Sequence, residues 1–252
     1  MIQSGIKIKR INLDGTTELR EDSVALDEPV CIFVNDEPYR TLIASPSMIE
    51  ELAIGHLYTE GVISTLGEVI STNVMPLRID VELNHKIDQR KIISENARLL
   101  TTACGMSSAI HSSEIEEIRV KGTENIDSEI VFELVRALNE KSSTLKSTGG
   151  THSALLHHLA GDVFAEDVGR HNALDKVIGK GLMDDVDLSK CILVSSGRLS
   201  GEMVLKAARA NIPLLCSVSA PLLSGLKVAE VTGVSLIGFV RGRRMNQYLT
   251  GE

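Results

Sequence analysis

Residues 191–240 read CILVSSGRLSGEMVLKAARANIPLLCSVSAPLLSGLKVAEVTGVSLIGFV, and this stretch decides the fold. Three short apolar runs, 191–195, 213–218 and 235–240, have the composition and length of buried strands. Between them lie segments 200–210 and 222–231, whose apolar residues recur at helical spacing. A further helical pattern over 172–180 precedes the first run. Strand and helix in alternation imply a parallel sheet covered by helices, an α/β arrangement. Such sheets bind ligands beyond the carboxyl ends of their strands, where the helices begin. Here those ends carry Ser195-Ser196-Gly197-Arg198, Ser217-Val218-Ser219 and Arg241. Hydroxyls, guanidinium groups and a glycine that lets the backbone come close are what a phosphate requires.

Just upstream lie two more polar, glycine-containing motifs, Thr148-Gly149-Gly150-Thr151-His152 and Glu166-Asp167-Val168-Gly169-Arg170-His171-Asn172. A hairpin is expected between them, over 153–157 and 163–167. Asn172 with Asp175 makes a variant capping box for the next helix. His152 and His171 can each donate to a phosphate, move a proton or serve as a hydrogen-bonded structural histidine. Asp167 is expected to orient His171 or Arg170, or to bind a guanine edge. Arg170, just ahead of the expected helix start, can reach an anion bound there. Asp175 and Glu202 read as helix-start carboxylates favoured by the macrodipole. Phe239-Val240-Arg241-Gly242-Arg243-Arg244 concentrates positive charge after the last strand.

The first 45 residues are β-rich, with strands expected at 30–34 and 39–44 around Asn35-Asp36-Glu37-Pro38. A helix over 46–60 would take Ser45 as its cap and Pro46 as its first residue, and end at Gly61. Further strands are expected over 74–83 and 91–94, and a helix over 128–140. The chain thereby divides into a β-rich region with one helix, residues 1–98, and an α/β region, residues 99–252.

A net charge of −8 over 252 residues argues against broad binding to nucleic acid or an anionic membrane. The absence of Trp disfavours base stacking on exposed rings. No apolar stretch is long enough for a transmembrane helix, and the first residues lack a signal core, so a cytoplasmic protein is expected. Walker, G-x-G-x-x-G and H-E-x-x-H motifs are missing. Of the four cysteines, Cys31, Cys191 and Cys216 sit in apolar runs and read as structural thiols. Cys104 lies instead in Thr101-Thr102-Ala103-Cys104-Gly105-Met106-Ser107-Ser108, small and polar, and is the candidate nucleophile. A thiol of pKa ~8.5 is only a few per cent thiolate at neutral pH. Lowering it to ~7 takes roughly 2 kcal/mol, which one nearby cation or a few N–H groups can supply.

Taken in order, these motifs resemble those of the FdhD/NarQ family. The N-terminal half contributes Glu28-Pro29-Val30, Val34-Asn35, Thr41-Leu42, Ser45-Pro46 and Leu52-Ala53-Ile54-Gly55-His56-Leu57. The C-terminal half contributes the 148–152 and 167–176 motifs, Ser196-Gly197-Arg198, Ser217-Val218-Ser219-Ala220-Pro221 and Gly238-Phe239-Val240-Arg241. The resemblance implies a cytidine-deaminase-like three-layer C-terminal domain and a homodimer. It implies a sulfur carrier, a sulfurtransferase that accepts persulfide sulfur from a cysteine desulfurase on Cys104. The sulfur would pass to bis-molybdopterin guanine dinucleotide before that cofactor enters formate dehydrogenase apoprotein. The expected cofactor-binding residues are Gly149, Gly150, Thr151, His152, Asp167, Gly169, Arg170, His171, Asn172, Ser196, Gly197, Arg198, Ser219, Phe239, Val240, Arg241, Gly242, Arg243 and Arg244, with no metal of the protein's own. One departure stands out: the family shows Cys-x-x-Cys on its loop, and here Ser107 replaces the second cysteine. The alternative is a chaperone that holds the molybdenum cofactor without moving sulfur. A zinc deaminase would need H-x-E and P-C-x-x-C, and His111-Ser112-Ser113-Glu114 has the wrong spacing.

Overall fold

The computed structural model describes residues 2–87, 115, 117–121 and 126–248; Cys104 and the strand expected over 91–94 lie outside them. A two-stranded antiparallel ribbon comes first, β1 (Gln3–Ile11) and β2 (Thr17–Ala25). Next come β3 (Glu28–Val34), β4 (Glu37–Ala44), α1 (Ile49–Thr59), β5 (Val69–Met75) and β6 (Arg78–Leu83). Their four strands form one sheet in the order β4-β3-β6-β5. Alternate residues on its strands, Ile32 and Val34 on β3 and Ile79 and Val81 on β6, form one apolar cluster with Ala53, Ile54 and Leu57 of α1.

The second half contains α2 (Ser128–Lys141), α3 (Ser143–Thr148), the hairpin β7 (His152–His158) and β8 (Gly161–Asp167), and α4 (Arg170–Met183). Then β9 (Ile192–Ser195), α5 (Gly201–Arg209), β10 (Leu214–Ser217), α6 (Leu223–Thr232), β11 (Ser235–Arg241) and β12 (Arg244–Tyr248) follow. The six-stranded sheet has the order β12-β11-β10-β9-β7-β8. Its centre, β9 to β11, is parallel as the alternation implies, and antiparallel strands flank it. Period-two alternation separates its faces. Ala154 and Leu156 of β7 join the core under α4, α5 and α6, while Leu155 between them joins the core under α2. Each fully buried Leu or Ile contributes about 1.5–3 kcal/mol. Among the described residues no helix is long and apolar enough to cross a membrane.

Three local expectations are corrected. The 46–60 helix begins only at Ile49, after Met48 in the left-handed region at φ 51°, because Ser45 is used elsewhere. Its N–H, hydroxyl and carbonyl all bind the turn into α4. The 74–83 run is broken after Met75, since Leu77 at φ 58° turns the chain between β5 and β6. The helix expected over 172–180 starts at Arg170 with Gly169 as its cap, which leaves Asn172 and Asp175 inside it. The capping box is therefore absent, and Asp175 is buried.

α1 and α4 meet backbone to backbone. A Cβ on Gly55 would stand 1.8 Å from the Asp175 carbonyl oxygen, and one on Gly179 would stand 2.0 Å from that of Glu51. The close approach leaves no room for large apolar side chains at the crossing, and a polar network lies beside it. Asp175 accepts from Thr59 Oγ1 at 2.8 Å and from Lys206 Nζ at 3.0 Å, and lies 3.1 Å from His56 Nδ1. Lys206, on α5, also donates to Thr59 Oγ1 at 2.9 Å and to Glu60 Oε1 at 2.8 Å. Burial opposes ionisation of both carboxylates, but the charges of Lys206 and His56 outweigh it and hold Asp175 and Glu60 below the usual carboxylate range.

Two outcomes follow from this crossing. Gly55→Ala will destabilise the protein by at least about 2 kcal/mol, because backbone must move to admit one methyl group. Gly5→Ala, with nothing near its Cβ position, will be close to neutral in the same urea titration. For the network, carboxylates with depressed folded pKa values contribute stability above their unfolded values, ~4, and lose it as pH falls through the folded ones. Lys206→Met will cost about 3–5 kcal/mol near neutral pH by stranding two buried charges. The gap to the wild type will narrow on acidification, as urea unfolding at neutral and acid pH can show.

Candidate functional site

Hydroxyl side chains lace the loops at the carboxyl edge of the parallel strands together. Ser195 Oγ accepts from Gly197 N at 3.0 Å. Ser217 Oγ donates to the Gly197 carbonyl at 2.6 Å and accepts from Ser219 N at 2.9 Å. Phe239 N then donates to the Ser219 carbonyl, and Arg241 Nε to the Val218 carbonyl, both at 3.0 Å. Small residues are needed here because each loop must reach its neighbour's backbone.

At the β9 end of this edge, two helix N-termini bring a charged cluster together. Arg170 and His171 open α4, and Glu202 stands in the first turn of α5. A Cβ on Gly197 would come within 2.9 Å of Arg170 Cβ and Cδ, so glycine there lets the arginine stem lie across the loop. Burial, and then the neighbouring Arg198 guanidinium, depress the proton affinity of Arg170, with Glu202 opposing them. Arg170 Nε is buried without a hydrogen-bond partner. Ser196 Oγ accepts from Ser153 N at 2.9 Å and lies 3.3 Å from His152 Nδ1. His152 is pushed below its ordinary pKa by burial first, then by Arg170, His171 and Arg198. His171 Nε2 lies 3.1 Å from Glu202 Oε2. An anion between the guanidinium groups would relieve both shifts, since each arises partly from like charge.

The expected site residues thus separate by position. His152, Arg170, His171, Ser196, Gly197 and Arg198 come together. Asp167, expected to orient His171 or Arg170 or to face a guanine, turns inward and is fully buried. Its Oδ1 accepts from Gly169 N at 2.8 Å and Asn172 Nδ2 at 2.9 Å, and its Oδ2 from Ser45 N at 3.0 Å and Lys176 Nζ at 2.6 Å. Asn172 is buried too and spends its amide on Asp167 and the Ile43 carbonyl. Gly149 ends α3 at φ 66°, and Gly150 lies against Ala25 of the N-terminal ribbon, so both have structural work of their own. Thr151 is buried beside Glu166. Val240 is buried in the core under α2, leaving only its backbone for a ligand. Ser219 and Phe239 belong to the laced edge. Arg241, Gly242, Arg243 and Arg244 line the exposed β11–β12 turn. Arg241 and Gly242 there border a cavity of about 470 Å³, shared with Arg136 and Lys146 on the α2 side. Sequence reasoning missed Lys176 and Ser45, whose partners are remote in the chain. It also read Glu202 only as a helix-start acid.

This is an α/β protein whose sheet gathers guanidinium, imidazole and hydroxyl groups at one carboxyl edge. The model of the FdhD/NarQ family matches residues 25–252. Relatives named sulfur carrier protein FdhD include one from Saccharolobus solfataricus, 34% identical over 98% of this chain and 98% of its own length. Another, from Shouchella clausii, is 35% identical over 92% of this chain and 90% of its own. A solved structure from Desulfotalea psychrophila, described as that of a formate dehydrogenase accessory protein, superposes with a TM-score of 0.80 at 26% identity, covering 98% of this chain and 96% of that one. The chain belongs to the FdhD/NarQ family.

The cationic cluster can be tested with a minimal anion. Pyrophosphate will raise the thermal midpoint of the wild type. Arg198→Ala, at an exposed position, will leave the unliganded midpoint nearly unchanged and weaken pyrophosphate binding by about tenfold or more, the loss of a charge-assisted contact. Titration calorimetry of the two proteins checks both.

Proposed function

We propose that this protein carries sulfur on Cys104 and delivers it to bis-molybdopterin guanine dinucleotide held at the carboxyl edge of the six-stranded sheet. The observation that carries the binding half is the packing of the Arg170 stem over Gly197, next to Arg198, with His152 3.3 Å from Ser196 in the same loop, where two helices begin. Cations gathered in this way favour an anion between them, and the diphosphate of a guanine dinucleotide is such an anion.

The choice of Cys104 rests on its sequence setting and on the other thiols. Cys216 and Cys191 are fully buried. Burial pushes the Cys191 thiol up to about 11 and that of Cys216 higher still, so neither forms a thiolate at neutral pH. Cys31 is half-buried on β3, its Sγ 3.6 Å from Thr41 Oγ1. In loading, the Cys104 thiolate attacks the outer sulfur of a cysteine desulfurase persulfide. One S–S bond forms as the donor's S–S bond breaks, and the donor leaves as a thiolate, with no net oxidation. Ser107 cannot attack the loaded persulfide to form a disulfide. The protein then acts between the desulfurase and formate dehydrogenase, in keeping with the description of its structural neighbour.

Incubation with a cysteine desulfurase and cysteine, followed by peptide mass spectrometry, will place one added sulfur on Cys104. Cys104→Ser will keep its fold and abolish maturation of formate dehydrogenase. Full maturation with that variant would leave a protein that holds the cofactor without moving sulfur.

A further inference from the structure

The charged cluster contains one group that a purely anionic ligand does not explain. The neighbouring carboxylates Glu166, Asp167 and Asp175 are buried and taken up by protein donors. Glu202 is different: its side chain is 34% exposed, beside His171. The His171 imidazole, 3.1 Å away, together with the charge of Lys206, outweighs burial and holds its carboxyl below the ordinary range. It is therefore ionised at neutral pH. Lys206, one turn further along α5, directs its hydrogen bonds to Thr59, Glu60 and Asp175. Among the described residues only His171 lies within ion-pair distance of the Glu202 carboxylate, on the Oε2 side, and its Nε2 makes no hydrogen bond, so both carboxylate oxygens remain as acceptors.

An ionised carboxylate repels phosphate, so its presence among Arg170, Arg198, His152 and His171 calls for a ligand that also brings N–H donors. The 2-amino-4-oxopyrimidine edge does so, with a ring N–H and an amino group side by side, in register with the two oxygens of a carboxylate. Adenine presents a bare ring nitrogen at that place, and hypoxanthine lacks the amino group. We infer that Glu202 is the specificity-determining residue of this cluster, accepting the ring N–H and the amino group of a 2-amino-4-oxopyrimidine while the arginines hold the phosphates. The inference rests on the cargo proposed above, which offers this edge twice, on its guanines and on its pterins. It moves the base-reading role from Asp167, which is saturated inside the protein, to Glu202.

Calorimetry of wild type and Glu202→Gln with GDP, IDP, ADP and pterin tests it. The wild type will bind GDP about tenfold or more tighter than IDP or ADP, the difference of a charge-assisted hydrogen bond. In Glu202→Gln that preference will collapse through loss of GDP affinity, with ADP affinity kept or improved, because the amide replaces an acceptor with a donor. Glu202→Asp will retain part of the preference, which a merely structural role would not require. Loss of pterin affinity with GDP unchanged would assign Glu202 to the pterin in place of the guanine. An unchanged GDP-to-ADP ratio together with unchanged pterin affinity in Glu202→Gln would overturn the inference and leave the proposed cargo standing. Failure of wild type to bind either GDP or pterin would overturn both. Circular dichroism and thermal midpoints of the two variants confirm that the comparison is made on folded protein.

Discussion

Lys176 and Asp167 meet at 2.6 Å with neither side chain exposed, and the placing of the charged cluster depends on that contact. A buried ion pair is tolerable only when the remaining hydrogen-bonding capacity of both groups is met. Here Asp167 receives four donors, and Lys176 also donates to the Ser45 carbonyl at 2.9 Å. Burial lowers the proton affinity of Lys176, and Asp167 opposes that effect. The knot joins the end of β8, the first turns of α4 and the link between β4 and α1. Arg170 and His171 sit on the same turn of α4, so their positions are fixed by groups that never touch solvent.

The charged cluster stands on that rigid base. The lacing through Ser195 and Ser217 fixes the Gly197 loop against the Arg170 stem, so the backbone that presents Arg198 is set before any ligand binds. The overall charge of −8 sharpens the contrast with this cluster of arginines.

The sheet was legible from its periodicity. Residues 191–240 alternate strand and helix because each parallel strand needs a crossover, and that requirement is written locally. Ala154, Leu155 and Leu156 show only that β7 is apolar on both faces, as a central strand must be. What could not be read was any role set by a partner distant in sequence. Ser45 looks like a helix cap until Asp167 and Lys176 are brought beside it, and Asp175 looks like a first-turn acid until Lys206 and His56 surround it. Gly150 and Arg170 both belong to conspicuous polar motifs. Only the packing of the N-terminal ribbon against the first, and of Arg198 beside the second, separates a structural glycine from a residue of the charged cluster.

The glycine contact between α1 and α4 also bears on how the chain is made. Gly55 and Asp175 belong to opposite halves of the sequence, so on the ribosome α1 can settle on its own sheet through Ala53, Ile54 and Leu57 well before α4 exists. Its other side, with Gly55, His56 and Thr59, waits uncovered during synthesis of everything up to α4, and the polar network closes only when α5 brings Lys206. Native assembly therefore includes a long-range closure, the kind of contact that in general slows folding and lengthens exposure to aggregation. The two halves cannot mature independently: the first acquires its final polar contacts only when the second has been translated.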